Sequence, residues 1–275
     1  MNFLLSTSKI NNASVCPRLF YFHDILEREP ISKPAHLESG DLFHQMLEMH
    51  YNSKINNDSS INIIEASRNI AAKTLDLSGE DVEETIKLYK EYVGHYQYET
   101  WIPLAAEESF CKQLYASDDL NIFVEGKIDL RIETKAGGSN AVVDHKKTGR
   151  DNTPPERDNQ KLAYCWATGY RDFIINQCGT QKSKKIDDRM KRYYFHYDDH
   201  QIQEWIDSTI DLAMEILDRM ASNKYPARYT GCIKYGYKCS FYDVCNSQQD
   251  LWEWKLKSEF KKKDHNLFEK KVDNE

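Results

Sequence analysis

The chain has 275 residues, of which 40% are hydrophobic and 29% charged, an ordinary balance for one large folded domain or one domain with elaborations. Its 37 basic and 44 acidic residues give a formal net charge of −7, which excludes a uniformly basic nucleic-acid coat. No run of about 18 apolar residues exists and the N-terminus lacks a basic stretch before its short apolar run, so neither a membrane span nor a secretion signal is expected. The expectation is an intracellular, cytoplasmic protein. Two local basic stretches stand out, Gln181–Arg192 and the KLKSEFKKK segment near the end, and solvated lysines account for both as readily as a binding patch does.

In chain order, SVCPRLFYFHDILE (Ser14–Glu27) predicts a helix with Ser14 as N-cap and Pro17 in its first turn. Ser39–Lys54 predicts a second, with Leu42, Phe43, Met46 and Leu47 as its apolar stripe. IIEASRNIAAKTL predicts a third, and Gly79–Trp101 a long, acid-started fourth that stops before Pro103. The pattern then changes. AAEESFCKQLY and LNIFVEGKIDLRIE predict strands, KAGGSN a hairpin turn, and AVVDHKK the strand beyond it. TPPERDNQKLAYCWATG predicts a helix ending at Gly169, RDFIINQC and KRYYFHY further strands, and DDHQIQEWIDSTIDLAMEILDRMAS a helix. No internal repeat or linker is visible. The expected fold is a single mixed α/β domain around one central sheet: residues 1–101 mainly helical, 102–222 the core, 223–250 cysteine-rich, and 251–275 a charged tail.

Strand periodicity places chemistry on AVVDHKK. Side chains alternate faces, so Asp144 and Lys146 share one face and His145 the other. The hairpin makes the preceding strand an antiparallel neighbour, which brings Asp129 near Asp144. Two adjacent carboxylates repel, and a cation between them relieves the repulsion. Oxygen ligands favour Mg²⁺ or Mn²⁺, and a neighbouring lysine can stabilise developing negative charge. A surface ion pair would also explain Asp-x-Lys, at roughly 0–1 kcal/mol. The company of the motif argues for more: Gly126-x-x-Asp129 upstream, and Gln160 and Tyr164 on one face of the following helix.

Taken together, Gly40-x-x-x-His44, Glu108-x-Phe110, Gly126-x-x-Asp129, Asp144-x-Lys146 and Gln160-x-x-x-Tyr164 resemble the PD-(D/E)xK nuclease superfamily, and their order resembles its RecB-type branch. The resemblance implies a restriction-endonuclease-like core, a mixed sheet flanked by helices. It implies that His44, Asp129, Asp144 and the backbone carbonyl of His145 hold Mg²⁺ or Mn²⁺, and that Lys146 is the catalytic lysine. Gln160 and Tyr164 would line the site and touch the DNA backbone. Glu108 or its neighbour Glu107 would support the site. Strand alternation, which puts Glu108 on the face of Phe110, favours Glu108. The His145 side chain is expected to face away, into the core.

Seven cysteines occur, and three of them, Cys232, Cys239 and Cys245, crowd into fourteen C-terminal residues. Thiolates bind zinc or iron–sulfur clusters, but paired Cys-x-x-Cys knuckles are absent. With Cys16 in its CPR context, the set resembles that of the iron–sulfur nucleases, the AddB nuclease domain and the CRISPR-associated exonucleases of the Cas-four type. There a 4Fe–4S cluster ties the two chain ends together. The interval between Cys232 and Cys239 is longer than in those families. Cys111, Cys165 and Cys178 are expected to be plain buried thiols.

The expected function is therefore a Mg/Mn-dependent DNA exonuclease acting on single strands or ends, in recombination and repair, CRISPR adaptation or phage DNA metabolism. The alternative is a nuclease-silent DNA-binding or assembly subunit of a recombination complex. A redox or metal sensor built on the cysteines would leave the carboxylate–lysine set without a purpose. No phosphate-binding ATPase loop is present, so any helicase partner would be a separate protein.

Overall fold

A computed structural model describes residues 1–32, 34–74, 77–134, 138–150, 152–234 and 237–263. The elements run β1 (Asn2–Ser6), α1 (Thr7–Val15), α2 (Pro17–Phe20), β2 (Arg28–Pro30), α3 (Ala35–Asn56), α4 (Ile63–Thr74), α5 (Gly79–His95), β3 (Trp101–Ala116), β4 (Asn121–Thr134) and β5 (Asn140–Thr148). They continue with α6 (Asn159–Thr168), β6 (Asp172–Gly179), α7 (Ile186–Arg189), β7 (Met190–His196), α8 (Asp199–Ser222), β8 (Ile233–Lys234), β9 (Tyr237–Lys238), α9 (Tyr242–Cys245), α10 (Trp252–Ser258) and β10 (Phe260–Lys262). Residues 135–137 of the expected hairpin turn and 264–275 of the charged tail lie outside the described residues. Among the described residues no helix is long and apolar enough to cross a membrane.

The contacts group the chain into two compact units, each assembled from separated segments. One is Met1–Thr7 with Pro34–Ser208, and the other Ser8–Lys33 with Thr209–Glu275.

The first unit carries a six-stranded mixed sheet with the path β1-β4-β5-β6-β7, and β3 paired to β4. β3 runs antiparallel along β4 from Trp101↔Thr134 to Ala116↔Asn121. That occupies one whole edge of β4, so β1 and β5 must divide the other. The parallel β1 takes Asn121 to Glu125, and the antiparallel β5 takes Leu130 to Glu133. Between these two ladders, Gly126 to Asp129 have no strand neighbour on that edge.

The helices on one face of this sheet follow the predicted stripe. Leu42, Phe43, Met46 and Leu47 of α3 are buried with Ile86, Tyr89 and Tyr92 of α5 and with Leu130, Ile132, Val143 and Ile174 of the strands. Each square ångström of apolar area buried in this cluster contributes about 25 cal/mol. α5 opens on Ser78, whose hydroxyl accepts the Asp81 N–H. It ends at His95, short of the predicted Trp101, which instead starts β3.

Two predicted helices are shortened for one reason: the residue before a proline is driven out of the helical region. Cys16, at φ −162°, precedes Pro17, so the first predicted helix begins at Pro17 rather than after Ser14, which falls within α1, and runs on through a π-helical turn to Ile25. Pro154 precedes Pro155, so α6 waits for Asp158, whose carboxylate accepts the Lys161 N–H at 2.9 Å. It ends where expected, on Gly169 with φ +75°, a left-handed cap that glycine adopts freely.

The second unit combines most of α1 and the C-terminal part of α8 with short helices and two-stranded ribbons. Phe22, Phe241, Val244, Leu256 and Phe260 form its core. β2 pairs with β10, and β8 with β9.

Candidate active site

The divided edge of β4 creates the site. The β4–β5 ladder ends at Leu130↔Val143, and β5 continues beside β6 through Asp144↔Ile175 and Lys146↔Gln177. Past the fork, the His145 N–H donates to the Asp129 carboxylate at 2.8 Å. A side chain on β4 thus takes the place of a backbone carbonyl. Asp129 and Asp144 face the same cleft, and His145 turns away as alternation predicts. The His145 ring is 2% exposed. It stacks on Tyr51 with centroids 5.5 Å apart, and its Nδ1 lies 2.9 Å from Asn176 Nδ2. Burial pushes the His145 imidazole down to about 3, so it stays neutral.

Asp144 is 1% exposed and is held by Lys146 and Gln160. Lys146 Nζ donates to its Oδ1 at 3.0 Å, and Gln160 Nε2 to the same oxygen at 2.9 Å. Lys146 Nζ also reaches Gln160 Oε1 at 3.3 Å, and Gln160 Nε2 reaches the Tyr164 hydroxyl at 3.4 Å. Asp144 Oδ2 is buried and accepts no hydrogen bond, though Lys146 Nζ is 2.8 Å away.

The two carboxylates are electrostatically unlike. Burial pushes Asp144 up to about 6, with Asp129 adding to the rise and Lys146 opposing it. Burial acts in the same sense on Asp129, but the His44 imidazole and the His145 N–H outweigh it and hold Asp129 below the usual carboxylate range. Desolvation disfavours the His44 imidazolium, and Asp129, 3.2 Å from Nδ1, overcomes that and raises it. Lys146 is likewise raised, because Asp144 outweighs its burial.

Glu107, not Glu108, joins this cleft. His44, Glu107 and Asp129 offer ligand atoms within 4.8 Å of one another. Glu108 turns away and accepts from Arg131 Nη2 at 2.9 Å. The expectation of Glu108 assumed unbroken alternation. Glu107 instead has φ +52°, and this left-handed residue re-aims both glutamates. Lys127, 2.6 Å away, partly offsets the burial that raises the Glu107 carboxyl.

Gly126 and Phe110 explain two further motif positions. They pair across β3 and β4. A Cβ on Gly126 would lie 2.7 Å from the Phe110 ring and 3.0 Å from Tyr164, so only glycine fits. Phe110 meets Tyr164 edge-on at 5.7 Å and so braces the wall of the cleft.

Cys16, Cys232, Cys239 and Cys245 line one cavity of the second unit, together with Leu19, Ala227, Gly231, Phe241 and Tyr242. The long interval is taken up by the β8–β9 hairpin. At its base the Cys239 N–H donates to the Cys232 carbonyl at 2.8 Å, so the two cysteines stand side by side. Cys16 Sγ accepts the Arg228 N–H at 3.3 Å. Burial raises the Cys245 thiol to about 11, against the pull of Arg18. Cys165 and Cys178 are buried as expected, but Cys111 is exposed, because its strand lies on the outer edge of the sheet.

A forked mixed sheet with one buried and one half-buried carboxylate and a lysine on adjacent strands defines a nuclease core. The chain belongs to the PD-(D/E)XK nuclease superfamily, whose sequence model matches residues 4–246. None of the curated proteins matches. Among solved structures, a protein from Eubacterium rectale provisionally described as an exonuclease is 12% identical, with 98% of this chain and 93% of that one covered at a TM-score of 0.50. The protein SSO0001 is 13% identical over 76% of each chain, at a TM-score of 0.34.

Proposed function

We propose that this protein is a Mg²⁺- or Mn²⁺-dependent DNA exonuclease of the RecB type, acting inside the cell on single strands or ends. The observation that carries the reading is the convergence of Asp129, Asp144 and Lys146 at the fork between β4 and β5. The donor set suits a hard divalent ion: carboxylate oxygens, one imidazole, and a buried Asp144 Oδ2 that accepts no hydrogen bond. Asp129, Asp144, His44 and Glu107 would hold it, with the His145 carbonyl as a further ligand. When bound, the ion supplies Lewis acidity, making water more acidic and neutralising charge on the scissile phosphate. Lys146, kept charged by Asp144, stabilises the negative charge that builds up in the transition state. Gln160 holds Asp144 and Lys146 in register, and Tyr164 walls the cleft.

The same reading includes a 4Fe–4S cluster on Cys16, Cys232, Cys239 and Cys245. What supports it is that all four thiols line one cavity, and that Cys16 Sγ accepts a backbone N–H, the kind of bond that tunes cluster sulfurs. Candidate settings are recombination and repair, CRISPR adaptation or phage DNA metabolism, with any strand-separating enzyme a separate partner.

The test is cleavage of end-labelled linear and circular single-stranded DNA in Mn²⁺ or Mg²⁺. Linear strands should vanish while circles persist. Asp144→Ala and Lys146→Ala should each lower the rate by at least about 10²-fold, the usual loss for one electrostatic group. Full activity in both variants sinks the assignment, and DNA bound but uncut would make the protein a nuclease-silent subunit. Anaerobically purified protein should be brown and carry iron and sulfide. Colourless protein with stoichiometric zinc refutes the cluster.

A further inference from the structure

β5 has a second charged face. Lys147, next to Lys146, points to the opposite side of the sheet, into a cavity of about 360 Å³ within the first unit. Its walls come from α3 (His36, Ser39), α5 (Asp81, Glu84, Lys87, Leu88), the ends of β5 and β6, and Arg189. β5 and β6 are parallel, so this is the crevice beyond their carboxyl ends, where α/β proteins commonly bind ligands. The volume is that of a small-ligand pocket.

Its charges are unevenly committed. Glu84 is paired with Lys182, Glu91 with Arg189 at 2.9 Å, and Asp81 accepts from the Ser78 hydroxyl at 2.6 Å. Two cations remain. Lys147 donates only to the neutral Thr85 hydroxyl, at 3.1 Å. Among the described residues, Lys87 has no carboxylate partner within ion-pair distance. The half-buried Lys147 ammonium is thus held by a neutral hydroxyl, with the Asp81 and Glu84 carboxylates further off. α3 also starts here with no side-chain cap on its N-terminus, so its orphan N–H groups add positive potential.

We propose that this cavity binds a phosphate monoester, and specifically the terminal phosphate of the strand that the neighbouring carboxylates cut. A phosphomonoester carries a charge of about −1.5 to −2 near pH 7, part of which the single positive charge in excess offsets, with the N-terminus of α3 adding to it. α3 links the two places: His44 faces Asp129, while Ser39 and His36 line the cavity. Five and eight residues at 1.5 Å per residue set them about 7–12 Å apart along the axis, the length of roughly two to three nucleotides. The assignment of the strand end rests on the nuclease reading. Phosphate binding itself does not, and a free nucleoside monophosphate has the same chemistry.

The experiment is therefore done in EDTA, without cleavage. Equilibrium binding is measured for deoxynucleoside, deoxynucleoside monophosphate, and one oligonucleotide bearing either a 5′-phosphate, a 3′-phosphate or hydroxyl ends. The expected result is at least about tenfold tighter binding of the phosphorylated member of a pair. That preference should be lost in Lys147→Gln and in Lys87→Gln, the latter an exposed position that does not threaten folding. A preference for the monophosphate alone supports the pocket with a free nucleotide as its ligand. A preference for one phosphorylated end identifies which terminus enters. Equal binding within every pair, or a preference that survives both substitutions, overturns the proposal. If the preference is present but no DNA is cut in Mn²⁺, the nuclease reading fails and the phosphate pocket stands.

Discussion

The two units are held together by different physics. In the first, a sheet of long strands and full-length helices buries a continuous apolar cluster, and the charged groups sit where that sheet forks. In the second, two-stranded ribbons, most of α1, the C-terminal part of α8 and helices of four to seven residues accompany a small cluster of mainly aromatic side chains, with cysteines against it. The first has enough burial to hold a strained, charged site. The second has little core of its own, which is the circumstance in which a bound cluster contributes folding energy outright.

This contrast can be broken. On the proposed cluster, Cys239→Ser should have the largest effect: loss of iron and collapse of the second unit's thermal transition, while the first unit's helical signal persists. Calorimetry with iron analysis checks it, and a single unchanged transition would show that the thiols are not structural. Next comes Glu99→Ala. Glu99 and Arg192 form a mostly buried pair, and the guanidinium lies between the Tyr96 and Trp101 rings at 3.7 and 3.5 Å. Removing one partner of such a pair costs about 3–5 kcal/mol, readable as a shift in the urea midpoint of the first unit.

Gly126→Ala should cost about 1–3 kcal/mol, typical of overpacking, and should lower cleavage by displacing Phe110 and Tyr164. Normal activity and stability would show that the ring yields freely. The last effect is confined to acid pH. Burial pushes His50 down to about 4, so the folded state binds its proton later than the unfolded chain does. The stability this contributes is present above pH 6.5 and is lost as pH falls from 6.5 towards 4, at no more than about 1.4 kcal/mol per pH unit. His50→Gln should flatten that part of the stability profile.

Local rules made much of the molecule legible. The period-2 pattern of AVVDHKK placed Asp144 and Lys146 together and His145 in the core, because side-chain direction along a strand depends only on neighbouring residues. The apolar stripe of α3 and the Gly169 cap were readable for the same reason. Pairings between distant segments were not. The short apolar N-terminus becomes β1 only because β4 has a free edge, and that pairing joins residues more than a hundred apart. The fork that sets Asp129 beside His145, the left-handed turn at Glu107 that exchanges one glutamate for its neighbour, and the hairpin that brings Cys232 to Cys239 all depend on strand register. Register is settled by which strands meet and where they part, and that is decided by packing the whole sheet rather than by any one stretch of residues.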